Sequence, residues 1–563
     1  MDKTFDYLVP DAVQDQVRVG DVVRIELHGR RVGGWIVELD VEPAPGLSLR
    51  ALAKRSGLGP TPDLIELAEW AAWRWSGRPA SLLKTASPDR VVAQLPPPAA
   101  PPRPVGAGDA AARAALDEPL SLLRLPPAAD RVSVVLAAAD RGNALVLCPT
   151  VAVAVGLASR LRRAGLPVAL HPRDWALGAA GATVVGTRAA AWAPVGDLAA
   201  VVVLDEHDEA HQQEQAPTWH ARDVAIERAQ RAGVPCLLTS PCPSLEALEA
   251  AAVHVPDRVS ERAGWPIVEV VDRRDEDPRR AGLFSTALVR LLRSEERVLC
   301  VLNRTGRARL LACAACGGLA RCEACGAAVE QPEDVLHCRR CGTDRPAVCI
   351  DCGSTRFKNV KAGVARVREE LEALIGEPVV ELTAATESEA PATRVVVGTE
   401  AVLQRIDRAD AVAFLDLDQE LLASRYRAVE QAFALVARAA RVAARSGRAA
   451  DRAAGRLLLQ TRLPEHEVVR AAVLGDPDRV ADAERPRRSL LRLPPFAALA
   501  EVSGQAAPEF VAALGQPLGV QVAETAPGRW LVRATDHGTL CDALTAVPRP
   551  AGRLRIEVDP LRV

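Results

Sequence analysis

Four C-x-x-C pairs between residues 313 and 352 constrain the fold of this chain more than any other feature. Two intervening residues allow a tight turn to bring both sulfurs of a pair to one metal ion, so this spacing suits tetrahedral zinc sites. Reduced structural thiols are an alternative, but they do not require a repeated spacing. Redox-active pairs normally stand alone near a βαβ unit. The pairs are Cys313/Cys316, Cys322/Cys325, Cys338/Cys341 and Cys349/Cys352.

Four pairs can be grouped into two sites in three ways, and spacing alone does not select one. The interval between Cys325 and Cys338 has the length of a loop, which favours a nested arrangement. We therefore expect one Zn²⁺ in each of two sites, with nearby arginines offsetting the negative charge of the thiolates. The outer site takes Cys313, Cys316, Cys349 and Cys352, and the inner site takes Cys322, Cys325, Cys338 and Cys341.

Composition predicts a multidomain protein of the cytoplasm. With 563 residues and 49% hydrophobic content, the chain can bury several cores. Its net charge of −2 means that any contact with nucleic acid must come from local patches. The N-terminus lacks the apolar region of a signal peptide, and the apolar runs are interrupted before they reach membrane-spanning length. We expect no membrane partner.

Hydrophobic patterning predicts a multidomain α/β fold. Residues 17–41 alternate apolar and polar side chains around a turn at Gly29, as in a small antiparallel sheet, and Thr61 with Pro62 begins a helix. The Pro-rich segment 95–107 predicts a linker. Beyond it, apolar strands alternate with Ala-rich helices, which indicates two doubly wound parallel sheets with the cysteine block inserted early in the second. The predicted strands are 143–149, 166–171, 182–187, 198–206 and 234–240, followed by 297–303, 379–382, 394–399 and 411–418.

Short motifs run along nearly the whole chain in a characteristic order. They include Phe5-Asp6-Tyr7-Leu8-Val9-Pro10, Gly186-Thr187-Arg188, Asp205-Glu206-His207-Asp208, Pro243-Ser244-Leu245-Glu246, Leu302-Asn303-Arg304-x-Gly306, Gln460-Thr461-Arg462, Pro494-Pro495-Phe496 and Val558-Asp559-Pro560. No single motif is specific, but their order and spacing are. Together they resemble the PriA family of bacterial replication-restart proteins.

The resemblance implies an architecture and a set of partners. It implies a small β-barrel-like N-terminal domain that grips a 3′ DNA end, two RecA-like parallel helicase lobes, an inserted zinc-ribbon module and a small α+β C-terminal domain. The corresponding ranges are 1–92, 128–260, 261–490 with the insert at 305–358, and 491–563. Residues 93–127 are predicted to be a Pro-rich linker, too short for the family's winged helix. The implied partners are forked or single-stranded DNA, single-stranded-DNA-binding protein and the replicative helicase loading machinery of the primosome.

The family is an ATP-driven helicase, but this chain lacks the phosphate loop. Such a loop needs glycines around the phosphate, a lysine and a hydroxyl for Mg²⁺. Residues 118–141, which precede the first predicted strand, contain neither Gly nor Lys. The family's D-E-E-H becomes Leu204-Asp205-Glu206-His207, its G-T-Q-M becomes Gly398-Thr399-Glu400-Ala401, and its arginine-finger element becomes Arg438–Arg445 without either glycine.

These losses predict a pseudo-helicase that has no catalytic residues and binds no ATP, yet recognises branched DNA and scaffolds replication restart. One alternative is an active ATP-dependent 3′ to 5′ DNA helicase with a relocated nucleotide site. Another is a zinc-ribbon protein whose partners are proteins only. The acidic run 205–208 is expected to be a partly exposed remnant at a strand end.

Candidate DNA contacts come from the resemblance and from helical spacing. Asp6 matches the family's aspartate that contacts a terminal 3′ nucleotide, and Tyr7 lies beside it, although a turn aspartate is an equally simple interpretation. Arg30 and Arg31 in the hairpin are expected to contact the DNA backbone. The residues Arg438, Arg441 and Arg445 share one helix face, which is either solvated or a phosphate-binding stripe.

Overall fold

The computed structural model describes residues 3–43, 48–98, 108–274, 283–302, 310–332, 334–359, 364–383, 386, 393–444 and 455–562. None of the helices in these ranges combines the length and the apolar character that crossing a bilayer requires.

The N-terminal region holds two small sheets followed by a helical pair. Strands β2 and β3 form the predicted hairpin, whose two-residue turn is His28-Gly29, both at positive φ, as a type I′ turn requires. β5 extends this sheet on the other side of β2, while β1 pairs with β4 separately. Closure of these strands into a barrel stays a prediction. The bounds are β1 Tyr7–Leu8, β2 Val22–Leu27, β3 Arg30–Trp35, β4 Arg50–Ala51, β5 Lys54–Gly57, α1 Pro62–Arg74 and α2 Pro79–Ala86.

A seven-stranded parallel sheet forms the first lobe, with the strand order β12-β6-β11-β10-β7-β9-β8. Its central strands β11, β10, β7 and β9 are almost completely buried because helices cover both faces, as parallel sheets require, whereas the edge strand β12 is exposed. The elements are α3 Ala110–Ala115, β6 Leu120–Arg124, α4 Arg131–Ala139, β7 Asn143–Leu147, α5 Val151–Arg163, β8 Val168–Leu170, α6 Trp175–Ala179, β9 Thr183–Gly186, β10 Leu198–Leu204, α7 Ala221–Ala232, β11 Cys236–Ser240, α8 Leu245–Ala250, β12 Ala252–His254 and α9 Arg258–Ala263.

A six-stranded parallel sheet forms the second lobe, in the order β13-β22-β21-β14-β20-β19, and the cysteine module interrupts it after its second strand. The elements up to the end of the module are β13 Ile267–Asp272, α10 Thr286–Ser294, β14 Val298–Val301, β15 Leu311–Cys313, β16 Val335–His337, β17 Asp344–Pro346 and β18 Phe357–Asn359. The remaining elements are α11 Val364–Ile375, β19 Val379–Leu382, β20 Val395–Gly398, α12 Ala401–Arg405, β21 Ala411–Phe414, α13 Asp418–Leu421, α14 Ala428–Ala444, β22 Arg456–Thr461, α15 Glu467–Leu474 and α16 Asp478–Leu490.

The C-terminal domain is an antiparallel sheet with two helices, in the order β24-β25-β23-β26. It shares one hydrophobic core with α1, α2 and the first lobe. Polar contacts strengthen this junction, because Trp73 donates to Asp542 at 2.8 Å and Arg74 to Asp559 at 2.8 Å. The elements are β23 Ala498–Ser503, α17 Ala507–Leu514, β24 Val520–Ala526, β25 Arg529–Ala534, α18 His537–Ala546 and β26 Arg555–Val558.

The structure confirms the multidomain α/β fold with two parallel sheets and moves one predicted boundary. Helix α3 and strand β6 lie inside the range 93–127 that was predicted to be linker, and β6 pairs with β11 in the first sheet. The first lobe therefore starts before residue 128. Residues 99–107, the centre of the Pro-rich segment, lie outside the described residues.

Candidate metal centres, interlobe cleft and nucleic-acid interface

The cysteine module brings its eight predicted ligands together in two groups of four. The outer group contains Cys313, Cys316, Cys349 and Cys352, and the inner group contains Cys322, Cys325, Cys338 and Cys341. Within each group the sulfur atoms all lie within 4.8 Å of one another. The structure therefore has the nested arrangement: in the sequence, the inner cysteines and the hairpin β16–β17 lie between the first and second pairs of the outer group.

The sulfur geometry fits a tetrahedral metal ion. The Sγ atoms of Cys313 and Cys352 are 3.5 Å apart, and those of Cys325 and Cys338 are also 3.5 Å apart. A zinc ion bound to four sulfurs at about 2.3 Å requires sulfur separations of about 3.8 Å, close to these values. Four cysteine ligands leave no open position, so such a site would support the fold and would not activate water.

A glycine follows the second cysteine of every pair, which is a signal that the C-x-x-C spacing alone does not include. Gly317, Gly326, Gly342 and Gly353 all adopt φ between 73° and 79°. In each turn the glycine N–H donates to the carbonyl of the first cysteine, at 2.9 to 3.0 Å. A left-handed residue is needed at this point to close the turn around a metal, and glycine adopts it without strain.

The inner site is attached to the second lobe through Arg340, which lies between two of its ligands. The Arg340 guanidinium donates to the backbone oxygen of Tyr426 at 3.2 Å and to Glu484 at 3.4 Å. The side chains of Arg340 and Glu484 are 2% and 0% exposed. The backbone of Ala328 also donates to Leu422 at 2.8 Å. The module is therefore packed against the second lobe and does not extend freely into solvent.

The loop between β6 and α4 occupies the position where the family's phosphate loop is expected. This loop has the sequence Leu-Pro-Pro-Ala-Ala-Asp, and its last residue, Asp130, caps α4 by accepting from the Val132 N–H at 3.2 Å. Two prolines remove N–H groups that could face a phosphate, and a carboxylate occupies the helix N-terminus where an anion would bind. The loop therefore lacks the glycine-rich backbone of an anion cradle.

Asp205 lies at the carboxyl end of β10, facing the loop, and is engaged by two arginines. Arg441 of the second lobe binds both its carboxylate oxygens, each at 2.8 Å, and Arg131 at the start of α4 donates to it as well. Arg441 also donates to the backbone oxygen of Pro127, at 3.3 Å. The Asp205 side chain is only 4% exposed. The predicted partly exposed remnant is thus buried and fully paired.

The neighbouring acidic residues are also committed to protein contacts. Glu206 is completely buried and accepts from the Ser244 N–H at 2.8 Å and from Arg222 at 3.1 Å. Asp208 forms an ion pair with Arg438 of α14. Burial by itself would raise the pKa of Asp208, but the charge of Arg438 opposes it, and the pKa is lowered to about 2. Asp208 is therefore ionised at neutral pH and paired with Arg438.

Arg438 and Arg441 do lie on one helix face, as predicted, but that face is turned toward the first lobe. Their side chains are 26% and 16% exposed and are paired with Asp208 and Asp205. This placement argues against the predicted phosphate-binding stripe, because the guanidinium groups already have carboxylate partners. The third member, Arg445, lies outside the described residues.

The predicted 3′-end contacts, Asp6 and Tyr7, lie at the first strand and are both half-buried. Tyr7 pairs with Arg50 across the parallel β1–β4 contact, and its hydroxyl donates to the backbone oxygen of Glu26 at 2.9 Å. Arg50 is exposed and was not singled out from the sequence, because its position opposite Tyr7 depends on a pairing between distant segments.

Three exposed basic residues lie on one face of the neighbouring sheet, together with the exposed Glu26. Arg24 of β2 is opposite Lys54 of β5. Glu26, two residues after Arg24 on β2, is opposite Arg31 of β3. Cross-strand partners and alternate residues share a face, so Arg24, Arg31 and Lys54 lie together. We call these three residues the N-terminal basic face. Arg30, predicted to act together with Arg31, points to the opposite side of β3 because adjacent strand residues alternate.

Comparisons with known proteins show which family this chain is similar to. Residues 1–88 match the PriA family model described as 3'DNA-binding domain (3'BD). The "Probable replication restart protein PriA" of Mycobacterium bovis is 30% identical over 570 residues, which cover 90% of this chain and 85% of that protein. A DEAD box protein of Methanococcus jannaschii, 12% identical over 67% of this chain and 87% of its own, has a TM-score of 0.31, too low to assign a fold.

Other relatives are longer than this chain. The replication restart protein PriA of Haemophilus influenzae is 29% identical over 60% of this chain and 49% of that protein, and the Bacillus subtilis protein is 28% identical over 57% and 43%. The chain therefore spans about half the length of these curated relatives. The match along most of the mycobacterial protein, together with the N-terminal family match, shows that the chain belongs to the PriA family of replication restart proteins.

Proposed function

We propose that this chain binds branched or forked DNA and scaffolds the reloading of the replication machinery without ATP-driven unwinding. The observation that supports the absence of ATP chemistry is the bidentate ion pair between Asp205 and Arg441, at 2.8 Å for both contacts. While this pair is closed, neither Asp205 nor Arg441 is free to contact a nucleotide between the lobes.

The phosphate position gives independent support. Asp130 places a negative charge at the N-terminus of α4, where a nucleotide's phosphates would need backbone N–H groups. The preceding loop contributes two prolines and no glycine. A triphosphate would therefore meet a carboxylate in place of a cradle, and its binding is expected to be unfavourable.

DNA binding is assigned to the N-terminal region. Asp6 would accept a hydrogen bond from a terminal 3′ hydroxyl, with Tyr7 and Arg50 beside it, and the N-terminal basic face would contact backbone phosphates. The two cysteine groups would each hold one Zn²⁺ and stabilise the module. Single-stranded-DNA-binding protein and the replicative helicase loading machinery are the protein partners proposed for the chain, in line with the replication-restart names of its relatives.

ATP turnover measured with forked DNA tests the proposal. We expect no DNA-stimulated hydrolysis by the full chain, while the same preparation binds the fork in an anisotropy titration. An active helicase assayed in parallel confirms that the conditions support turnover. DNA-stimulated hydrolysis that disappears when Mg²⁺ is chelated would contradict the proposal and support the active ATP-dependent helicase instead.

Neutralising the N-terminal basic face is expected to weaken fork binding. Removing one basic side chain that touches a phosphate should reduce the slope of log affinity against log salt concentration by about 1. The variant Arg24→Ala/Arg31→Ala/Lys54→Ala therefore should bind more weakly and with a flatter salt dependence, as measured by anisotropy over a salt series. All three side chains are exposed, so the fold should be preserved.

Arg30→Ala provides a matched control for this experiment. Arg30 neighbours Arg31 in sequence and is equally exposed, but it lies on the other face of β3. We expect Arg30→Ala to bind forks with nearly the wild-type salt slope, whereas Arg31→Ala reduces it. An unchanged slope in Arg31→Ala would show that this face does not contact the DNA backbone, and equal reductions in the two single variants would show that the contact is not confined to this face.

A further inference from the structure

Charged residues of opposite sign line the two sides of the interface between the lobes. The first lobe contributes Asp205, Asp208 and Glu246, and the second contributes Arg441, Arg438 and Arg427. We propose that these three ion pairs, here called the interlobe clamp, hold the lobes in one closed arrangement that needs no nucleotide. The proposal goes beyond the proposed function, because it concerns the conformation of the lobes and does not depend on DNA binding.

One part of the clamp fills the cleft that faces the β6–α4 loop. Arg441 reaches across from α14, binds both oxygens of Asp205 and donates to Pro127 of the loop itself. Asp208 accepts from Arg438, one turn earlier on α14. Two arginines of one helix therefore grip two acidic residues that follow one strand, β10, and fix the helix against the first lobe.

A second part lies at the start of α8. Glu246 forms an ion pair with Arg427 at 2.6 Å, and both side chains are 13% exposed. The neighbouring Leu245 N–H donates across the same boundary to Glu430, at 3.0 Å. The two parts of the clamp engage opposite ends of α14, which begins at Ala428 and ends at Ala444. The helix is thus held to the first lobe along its length.

The burial of these groups makes separation of the lobes costly. Opening the cleft would break bidentate or close ion pairs between carboxylates and guanidinium groups, and these pairs are too well covered to be screened strongly by salt. Separation of the lobes would also break all three pairs together, because Arg438 and Arg441 lie on α14 and Arg427 immediately precedes it. A nucleotide would have to displace Arg441 before reaching the loop, so nucleotide is expected to leave the lobe arrangement unchanged.

Small-angle X-ray scattering of the wild-type chain provides the first test. We expect the same scattering profile with and without ATP and Mg²⁺, and a profile that matches the closed arrangement over a range of moderate salt concentrations. An extended profile without nucleotide, or compaction when ATP and Mg²⁺ are added, would overturn the clamp. This measurement uses the unmodified protein, so it does not depend on the folding of any variant.

Hydrogen exchange of variants provides the second test. In Arg438→Ala/Arg441→Ala, we expect the peptides that contain residues 125–131, 205–208 and 245 to exchange at least about tenfold faster, while the cysteine module keeps its protection. Arg485→Ala serves as a control, because Arg485 also pairs across the lobes, with Glu249, but its side chain is 43% exposed. We expect wild-type exchange in that control.

Unchanged exchange in the double variant would overturn the proposal. An open structure without ATP hydrolysis would refute the clamp and leave the proposed function intact. Hydrolysis with closed lobes would refute the proposed function instead.

Discussion

Replacing Cys338 with serine is expected to remove one of two bound zinc ions and to unfold the inner half of the cysteine module. Structural zinc contributes roughly 10–16 kcal/mol of apparent binding free energy in small domains, and serine is a poor substitute for a thiolate ligand. Cys338 is fully buried, so a water molecule cannot easily take its place as a metal ligand. Metal content measured by mass spectrometry should fall from about two to about one per chain, since each closed four-cysteine site holds one ion.

Hydrogen exchange should show the same change as a loss of protection confined to the module. Arg340 would no longer be fixed between two ligands, so its hydrogen bonds to Tyr426 and Glu484 should loosen as well. Cys300→Ser is the matched control, because Cys300 is equally buried but lies in β14 outside both groups. It should retain both metal ions.

The grouping of the cysteines can be tested in the same assay. Cys316 and Cys349 belong to one group in the structure, so Cys316→Ser/Cys349→Ser should lose one zinc and keep the other. Any grouping that assigns these two cysteines to different sites predicts the loss of both. Wild-type protein that is correctly folded with fewer than two metal ions would contradict the two-site arrangement itself.

Replacing Arg488 with alanine is expected to be strongly destabilising. Its side chain is 0% exposed and forms ion pairs with Glu430, Glu246 and Glu484, and it lies 5.4 Å from the centre of the Tyr426 ring. Removing one partner of a buried ionic network leaves unpaired buried charge, at a cost of about 3–5 kcal/mol. Chemical denaturation followed by tryptophan fluorescence and by exchange within the second lobe should detect the loss of stability.

The pH dependence of the stability of the Arg488→Ala variant distinguishes a loss of charge from a packing defect, because a packing defect alone would not change it. Burial raises the pKa of Glu430 above its usual value, and the charge of Arg488 opposes that rise. Without Arg488 the folded pKa of Glu430 should rise further. A folded state that binds more protons than the unfolded state becomes less stable as the pH increases, so the variant should lose stability progressively above the ordinary carboxylate range.

Arg479→Ala is the control for this experiment. Arg479 lies on the same helix, α16, and pairs with Asp476, but its side chain is 45% exposed. Exposed ion pairs contribute about 0–1 kcal/mol, so the free energy of unfolding should change little. If Arg488→Ala cost no more than Arg479→Ala, the buried ionic network would not stabilise the fold.

Local signals predicted the elements that depend on neighbouring residues. The alternation around Gly29 predicted the β2–β3 hairpin, because a two-residue turn with positive φ sets the pairing of its own flanks. Thr61 and Pro62 predicted the start of α1, where the missing N–H of proline costs nothing. The apolar runs of the two lobes predicted buried strands, because parallel strands that are covered by helices on both sides are apolar on both faces.

Other features were not predicted from the sequence because their signals were weak or depended on distant residues. Strand β6 was hidden inside a segment dominated by prolines, and it becomes a strand through pairing with β11 and β12. The proximity of Arg30 and Arg31 in sequence suggested a common role, but strand alternation places them on opposite faces. The spacing of Arg438 and Arg441 correctly predicted a shared helix face without indicating what that face contacts.

The amino-acid sequence by itself predicted two groups of four cysteines and the alternating α/β pattern, and it shows that residues 118–141 contain neither the glycines nor the lysine of a phosphate-binding loop. Each of these depends on residue identity and short spacing. Only the tertiary structure decided that Asp205 and Asp208 receive arginines from the other lobe, and that Arg340 joins the cysteine module to Glu484. Those contacts join residues far apart in the chain, and burial in a packed interface, not local propensity, selects such partners.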